Sequence, residues 1–181
     1  MWARHAQARE VEVIDDGDIA RWTAEHDGYG SLDPPSVHRR SVLLDRASRS
    51  IDIIDEIEGS HQVRLAFHFG PEVQVELDGA SAVLGWPQAG APGAARLELP
   101  GLLRWSLHRG ETDPILGWYS PGLGRRVPAF TLLGRGSCVL GAPLATRLEF
   151  LQIGSSSRPA LSWGVSDARV REAPEIRAEA K

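Results

Sequence analysis

The sequence predicts an all-β fold, an antiparallel β-sandwich, and three observations carry that expectation. Apolar residues recur with a period of two in run after run. Turn-forming dipeptides separate these runs at short intervals. No segment up to Phe150 sustains the capped i, i+3, i+4, i+7 apolar stripe of a helix.

The runs can be followed in order. Val11 and Val13 alternate with Glu10 and Glu12. His61, Val63, Leu65, Phe67 and Phe69 alternate with Gln62, Arg64, Ala66 and His68, and Val73, Val75 and Leu77 with Glu72, Gln74 and Glu76. Leu97 and Leu99 flank Glu98, while Leu103, Trp105 and Leu107 flank Arg104 and Ser106. Leu144, Thr146, Leu148 and Phe150 close the series around Arg147 and Glu149. Such alternation buries one face of a strand, and a one-residue slip would expose the whole apolar set. The expected core is therefore Val63, Leu65, Phe67, Val73, Val75, Trp105, Leu107, Leu148 and Phe150.

Asp33-Pro34-Pro35, Gly70-Pro71, Pro100-Gly101 and Gly141-Ala142-Pro143 mark turns, and Asp78-Gly79 predicts a tight hairpin because both residues tolerate positive φ. Gly85 to Gly93, rich in Pro, Gly and Ala, reads as a long surface loop. The stretch Gly154-Ser155-Ser156-Ser157 reads as the domain's end, giving a sandwich over 1–153 and a mobile tail over 154–181.

The chain has 181 residues, enough for one domain with its own core. Lys+Arg total 20 against Asp+Glu 24, a net charge of −4, which argues against nucleic acid as partner but leaves room for a local basic groove. The positive charge is almost all Arg, with Lys only at Lys181. Cys138 is the single cysteine, so no intrachain disulfide forms. No apolar run approaches the ~20 residues of a membrane helix. The N-terminus lacks a signal pattern, so either the protein is cytoplasmic or an export signal lies upstream of Met1.

Candidate functional residues lie in short clusters. His26 and Tyr29 of His26-Asp27-Gly28-Tyr29 either meet a sugar from a loop rim or belong to a structural turn. In a strand, His38 and Arg40 share one face and Arg39 takes the other. His61 and His68 fall on opposite faces and cannot chelate one metal together. Tyr119 beside Trp118, with Arg125 and Arg126, suits stacking on a sugar ring and reaching a carboxylate or sulfate; its alternative is a capping Trp with a surface Tyr. Asp52 and Asp55 lie on opposite faces unless a bulge intervenes, which Ile53-Ile54 makes plausible; a structural role is expected. Cys138 reads as a small core residue.

From about Trp22 to Phe150 the chain resembles the C-terminal β-sandwich of the heparinase II/III-like polysaccharide lyases. The resemblance rests on His26-Asp27-Gly28-Tyr29, His38-Arg39-Arg40, the run Ile51 to Gly59, Phe67-His68-Phe69, Gly117-Trp118-Tyr119-Ser120 and Thr146 to Phe150, in that order. It implies a partner α/α toroid and β-elimination on uronate-containing acidic polysaccharide, including glycosaminoglycans, in the periplasm or outside the cell. The family's metal-site segment carries a His-x-His pair, and this chain has none. Zinc belongs to the full-length family, and no ligands for it are expected here; no cofactor, metal or catalytic residue is assigned. The expected role is a supporting or substrate-contacting wall built on Tyr119, Arg125, Arg126, Tyr29 and His26, with a free-standing carbohydrate-binding module as the alternative. Whether this chain is itself an enzyme is left open.

Overall fold

The computed structural model describes residues 6–88, 92–139 and 141–151, and all regular structure in them is β. The strands are β1 (Ala8–Asp15), β2 (Ile19–Tyr29), β3 (Ser36–Asp45), β4 (Ser50–Ile57), β5 (Gln62–His68), β6 (Gln74–Asp78), β7 (Ser81–Trp86) and β8 (Gly93–Glu98). They continue as β9 (Arg104–Arg109), β10 (Glu111–Thr112), β11 (Ile115–Leu116), β12 (Trp118–Gly122), β13 (Arg125–Pro128), β14 (Phe130–Ser137) and β15 (Leu144–Leu151). The expected domain end and tail, 154–181, lie outside the described residues.

An eight-stranded sheet has the order β1-β2-β3-β4-β15-β8-β7-β6 and a three-stranded sheet the order β5-β14-β9. Two further pairs, β10-β11 and β12-β13, make small hairpins. Every pairing is antiparallel. Strands β1 to β4 and β6 to β8 are two meanders, and β15 inserts between them.

The two halves of the large sheet differ in what they bury. Val75, Ala82, Leu84, Ala95, Leu97, Leu99 and Leu132 form the buried cluster, with Phe67, Val73, Trp105, Leu107, Leu148 and Phe150 packed around it. The core therefore lies between the small sheet and the β15-β8-β7-β6 half. In the β1 to β4 half the buried residues are polar: Thr23, Ser36, Ser50 and Asp55. Val63 and Leu65, expected in the core, are part-buried and line a cavity at the edge of β5 instead.

Three local expectations shift. Gly85 and Trp86 belong to β7, and Trp86 pairs with Gly93, so the loop is shorter than its composition suggested. A Cβ on Gly93 would sit 2.2 Å from the Trp86 indole, so the missing side chain lets the ring lie across the ladder. That ring meets Phe150 edge-on, with centroids 6.3 Å apart. The β6-β7 hairpin turns on Gly79 and Ala80, between the paired Asp78 and Ser81, with Gly79 at φ 58°. Strand β4 pairs without a register break on both sides, so no bulge intervenes and Asp52 and Asp55 face opposite ways.

Candidate functional site

The site grows from cross-strand register. Arg40 on β3 stands opposite Asp55 on β4, and His38 stands opposite His26 on β2. Period-two geometry puts His38 and Arg40 on one face, so all four side chains meet. Asp55 Oδ1 accepts from His38 Nε2 at 2.7 Å and from Arg40 Nε at 2.7 Å, and Oδ2 accepts from Arg40 Nη2 at 3.0 Å. His38 Nδ1 lies 3.1 Å from His26 Nε2, and His26 Nδ1 accepts from the Gly28 backbone N–H at 3.2 Å. The Asp55 side chain is only 2% exposed.

One tautomer assignment satisfies every contact. Because Gly28 N–H donates to His26 Nδ1, the His26 proton sits on Nε2 and points at His38 Nδ1. His38 then carries its proton on Nε2 and donates it to Asp55. All four ring nitrogens are occupied. Burial pushes the Asp55 carboxyl up, but the His38 and Arg40 hydrogen bonds outweigh it and hold the group below its ordinary value.

Tyr29 closes this row, its ring 5.2 Å from the His26 ring and 47% exposed. It stands at the mouth of a cavity of about 400 Å³ that reaches from His38, Arg40 and Asp55 to the edge of β5. Leu32, Ile57 and Leu144 make part of its wall, and Arg64 lies on its border. His61 also lines it, with a buried Nε2 that has no hydrogen-bond partner. His26-Asp27-Gly28-Tyr29 is thus not a free turn: it is the end of β2, with its register irregularity between His26 and Tyr29.

Tyr119, Arg125 and Arg126 lie elsewhere, on the β12-β13 hairpin. The Arg126 guanidinium stacks 4.3 Å from the centroid of Trp118, whose indole N–H donates to the Glu111 carbonyl at 2.7 Å. Tyr119 is 44% exposed, and Arg125 and Arg126 are exposed. The Ser120 hydroxyl sits 3.0 Å from both the Gly122 and the Arg125 carbonyls and ties the turn. The structure therefore divides the five candidate residues between two sheets.

Asp55, the centre of the network, was expected only as a structural residue. Its signal was the β3-β4 hairpin: with Asp45 paired to Ser50, counting outward brings Arg40 to Asp55. His61 and His68 play separate parts, His68 Nδ1 lying 3.0 Å from the Thr131 hydroxyl. Cys138 is buried, and its sulfur accepts from the His61 backbone N–H at 3.2 Å. Among the described residues no three His, Cys, Asp or Glu side chains converge as metal ligands.

Comparison with known proteins adds the lineage. The family model described as heparinase II/III-like, C-terminal, matches residues 1–177. No curated protein sequence matches the chain significantly. Among solved structures it is similar to a heparinase III, the BT4657 gene product, at 16% identity and TM-score 0.60, covering 80% of this chain and 22% of that one. It is likewise similar to the heparan sulfate lyase HepC from Pedobacter heparinus, at 14% identity and TM-score 0.59 over 80% of this chain and 22% of that one. A further heparinase III shares 13% identity at TM-score 0.58, over 80% and 21%. The chain thus spans about a fifth of the length of these structures, and the likeness to them is one of fold. With the family match running over 1–177, this chain belongs to the heparinase II/III-like C-terminal family.

Proposed function

We propose that this domain supports and lines the substrate cleft of a polysaccharide lyase acting on uronate-containing acidic polysaccharide, and that it carries out no elimination by itself. The observation that carries the reading is the hydrogen-bond inventory of the polar network. A general base needs a free lone pair within reach of the proton it removes. His26 and His38 have none, because Gly28, each other and Asp55 occupy every ring nitrogen, and the unpartnered His61 Nε2 beside the same cavity is shut off from solvent. The network is thus a rigid support that fixes the end of β2 and the Tyr29 ring beside it.

Contact with the polymer falls to exposed groups. Tyr29 offers a ring at the cavity mouth, and Tyr119, Arg125 and Arg126 offer a ring and two cations. Residues 118–128 contain no carboxylate that would neutralise those arginines internally. A supporting role is favoured by Val13 and Trp22, paired across β1-β2 and exposed by 59% and 43%, an apolar patch suited to packing against a partner domain.

The test incubates the purified chain with heparin, heparan sulfate, alginate and hyaluronan and follows absorbance of the unsaturated uronate product. No turnover is expected. Clear turnover that disappears in His26→Ala or Tyr29→Phe would place the chemistry in this domain and refute the reading. Binding of the same polymers should weaken with added salt and in Arg125→Ala/Arg126→Ala.

A further inference from the structure

The three-stranded sheet carries a row of like charges that neither the polar network nor the β12-β13 hairpin uses. In the ladder, Arg135 of β14 pairs directly with Arg64 of β5 on one side and with Arg104 of β9 on the other. Directly paired residues project from the same face, so three arginine side chains leave the sheet in one row, from strands about 4.8 Å apart. All three side chains are exposed. None of them joins an ion pair among the described residues.

Nothing in the sheet offsets them. β5 (QVRLAFH), β9 (RWSLHR) and β14 (FTLLGRGS) contain no Asp or Glu, in a protein whose net charge is −4. Like charges directly opposite each other destabilise a sheet. Among the described residues the row is thus a cationic stripe about 10 Å long with no ion-pair partner. One small anion spans too little of it to neutralise all three groups, whereas a linear polymer with repeated charges does.

We infer that the Arg64–Arg135–Arg104 row is a binding surface for a linear, sulfated or carboxylated polysaccharide. The neighbouring rows on that face favour a glycan over a nucleic acid. They carry Gln62 with Ser137 on one side and Ala66, Ser106 and the buried Leu133 on the other, with no Phe, Tyr or Trp on which a base would stack; the first row on that face to hold a ring stands two rows away, where His68 is tied to Thr131. Gln62 Nε2 donates to Ser137 Oγ at 2.7 Å, leaving amide and hydroxyl valences for sugar hydroxyls. Arg64 also borders the cavity beneath Tyr29, so the row leads to that cavity's edge. The class of polymer rests on the function proposed above; the surface is separate from the β12-β13 hairpin.

The experiment measures binding of a size-defined heparin oligosaccharide and of oligothymidylate to the whole chain, by calorimetry across a salt series. Arg64→Gln/Arg104→Gln/Arg135→Gln is compared with Arg21→Gln/Arg49→Gln/Arg96→Gln, which removes the same net charge elsewhere. The row variant is expected to bind heparin at least about tenfold more weakly, with a shallower salt dependence, and the control within about twofold of the parent. Because the row repels itself, its variant should melt no lower than the parent at low salt, which separates lost binding from lost folding.

Equal weakening in both triples would mean that net charge alone binds the polymer, and would overturn the inference. Unchanged binding in the row variant would overturn it as well, as would oligothymidylate binding as tightly as heparin. If Arg125→Ala/Arg126→Ala abolishes binding while the row variant retains it, the row fails and the hairpin reading stands. If only the row variant loses binding, the row stands without the hairpin.

Discussion

Asp55→Asn tests the polar network most directly. The substitution keeps the shape and removes the charge from a side chain that is 2% exposed and accepts three hydrogen bonds, two from Arg40 and one from His38. An Asn carbonyl can still accept, but its NH₂ group would then face one donor with another. Hydrogen bonds to charged groups contribute about 1.5–3 kcal/mol each, and breaking a buried pair by removing one partner costs about 3–5 kcal/mol. The Arg40 side chain is 38% exposed and recovers part of its hydration, which places the loss near the lower end. We expect about 3 kcal/mol by urea unfolding, or a drop in Tm of about 6–12 °C for a domain of this size. A double-mutant cycle with Arg40→Met should return a coupling of about 1–3 kcal/mol. A loss below about 1 kcal/mol, or strict additivity in the cycle, would show that the network does not hold β2, β3 and β4 together.

The remaining predictions concern pH and backbone geometry. The folded-state pKa of Asp55 lies below the ordinary 3.8, so its contribution to stability is present above that value and lost as pH falls through the depressed one. Unfolding free energy followed downward from pH 5 should therefore fall more steeply in the parent than in Asp55→Asn, and parallel curves would contradict this. Gly117 has φ 73°, and a Cβ there would sit 2.5 Å from the Arg109 Cα, so Gly117→Ala should cost more than about 2 kcal/mol. Gly79 has φ 58° with nothing within 4 Å of an added Cβ, so Gly79→Ala should cost only about 1 kcal/mol. Equal losses in the two denaturant curves would refute the assignment of steric contact at Gly117.

Most of the sandwich was legible because alternation is a local property. Val73 and Val75, Leu148 and Phe150 each announce a buried face within a few residues, and all take part in the core. Val63 and Leu65 show the same alternation yet border a cavity, because period reveals which face turns inward and not what lies opposite it. The polar network was half legible: His38 and Arg40 share a face by period alone. Their partners depend on where two hairpins fold. The β3-β4 turn keeps register from Asp45↔Ser50 outward, whereas the irregularity between His26 and Tyr29 breaks simple counting on the β2 side. The arginine row was invisible in the same way, since residues 64, 104 and 135 meet only through the pairing of three distant strands.

The place of β14 and β15 has a consequence for how the chain reaches its native state. Both are central strands, β14 between β5 and β9 and β15 between β4 and β8, and both come after every strand they join. During synthesis the two meanders of the large sheet are each able to form early, yet each then presents a bare edge where β15 belongs. Such edges template pairing with other chains. Closure must wait for the segment around Phe130–Leu151 to emerge, and it joins partners as far apart in sequence as Leu144 and Asp55. Assembly should accordingly be slow for a domain of this size. A nascent chain halted before β15 should be the species that aggregates and the one that engages chaperones.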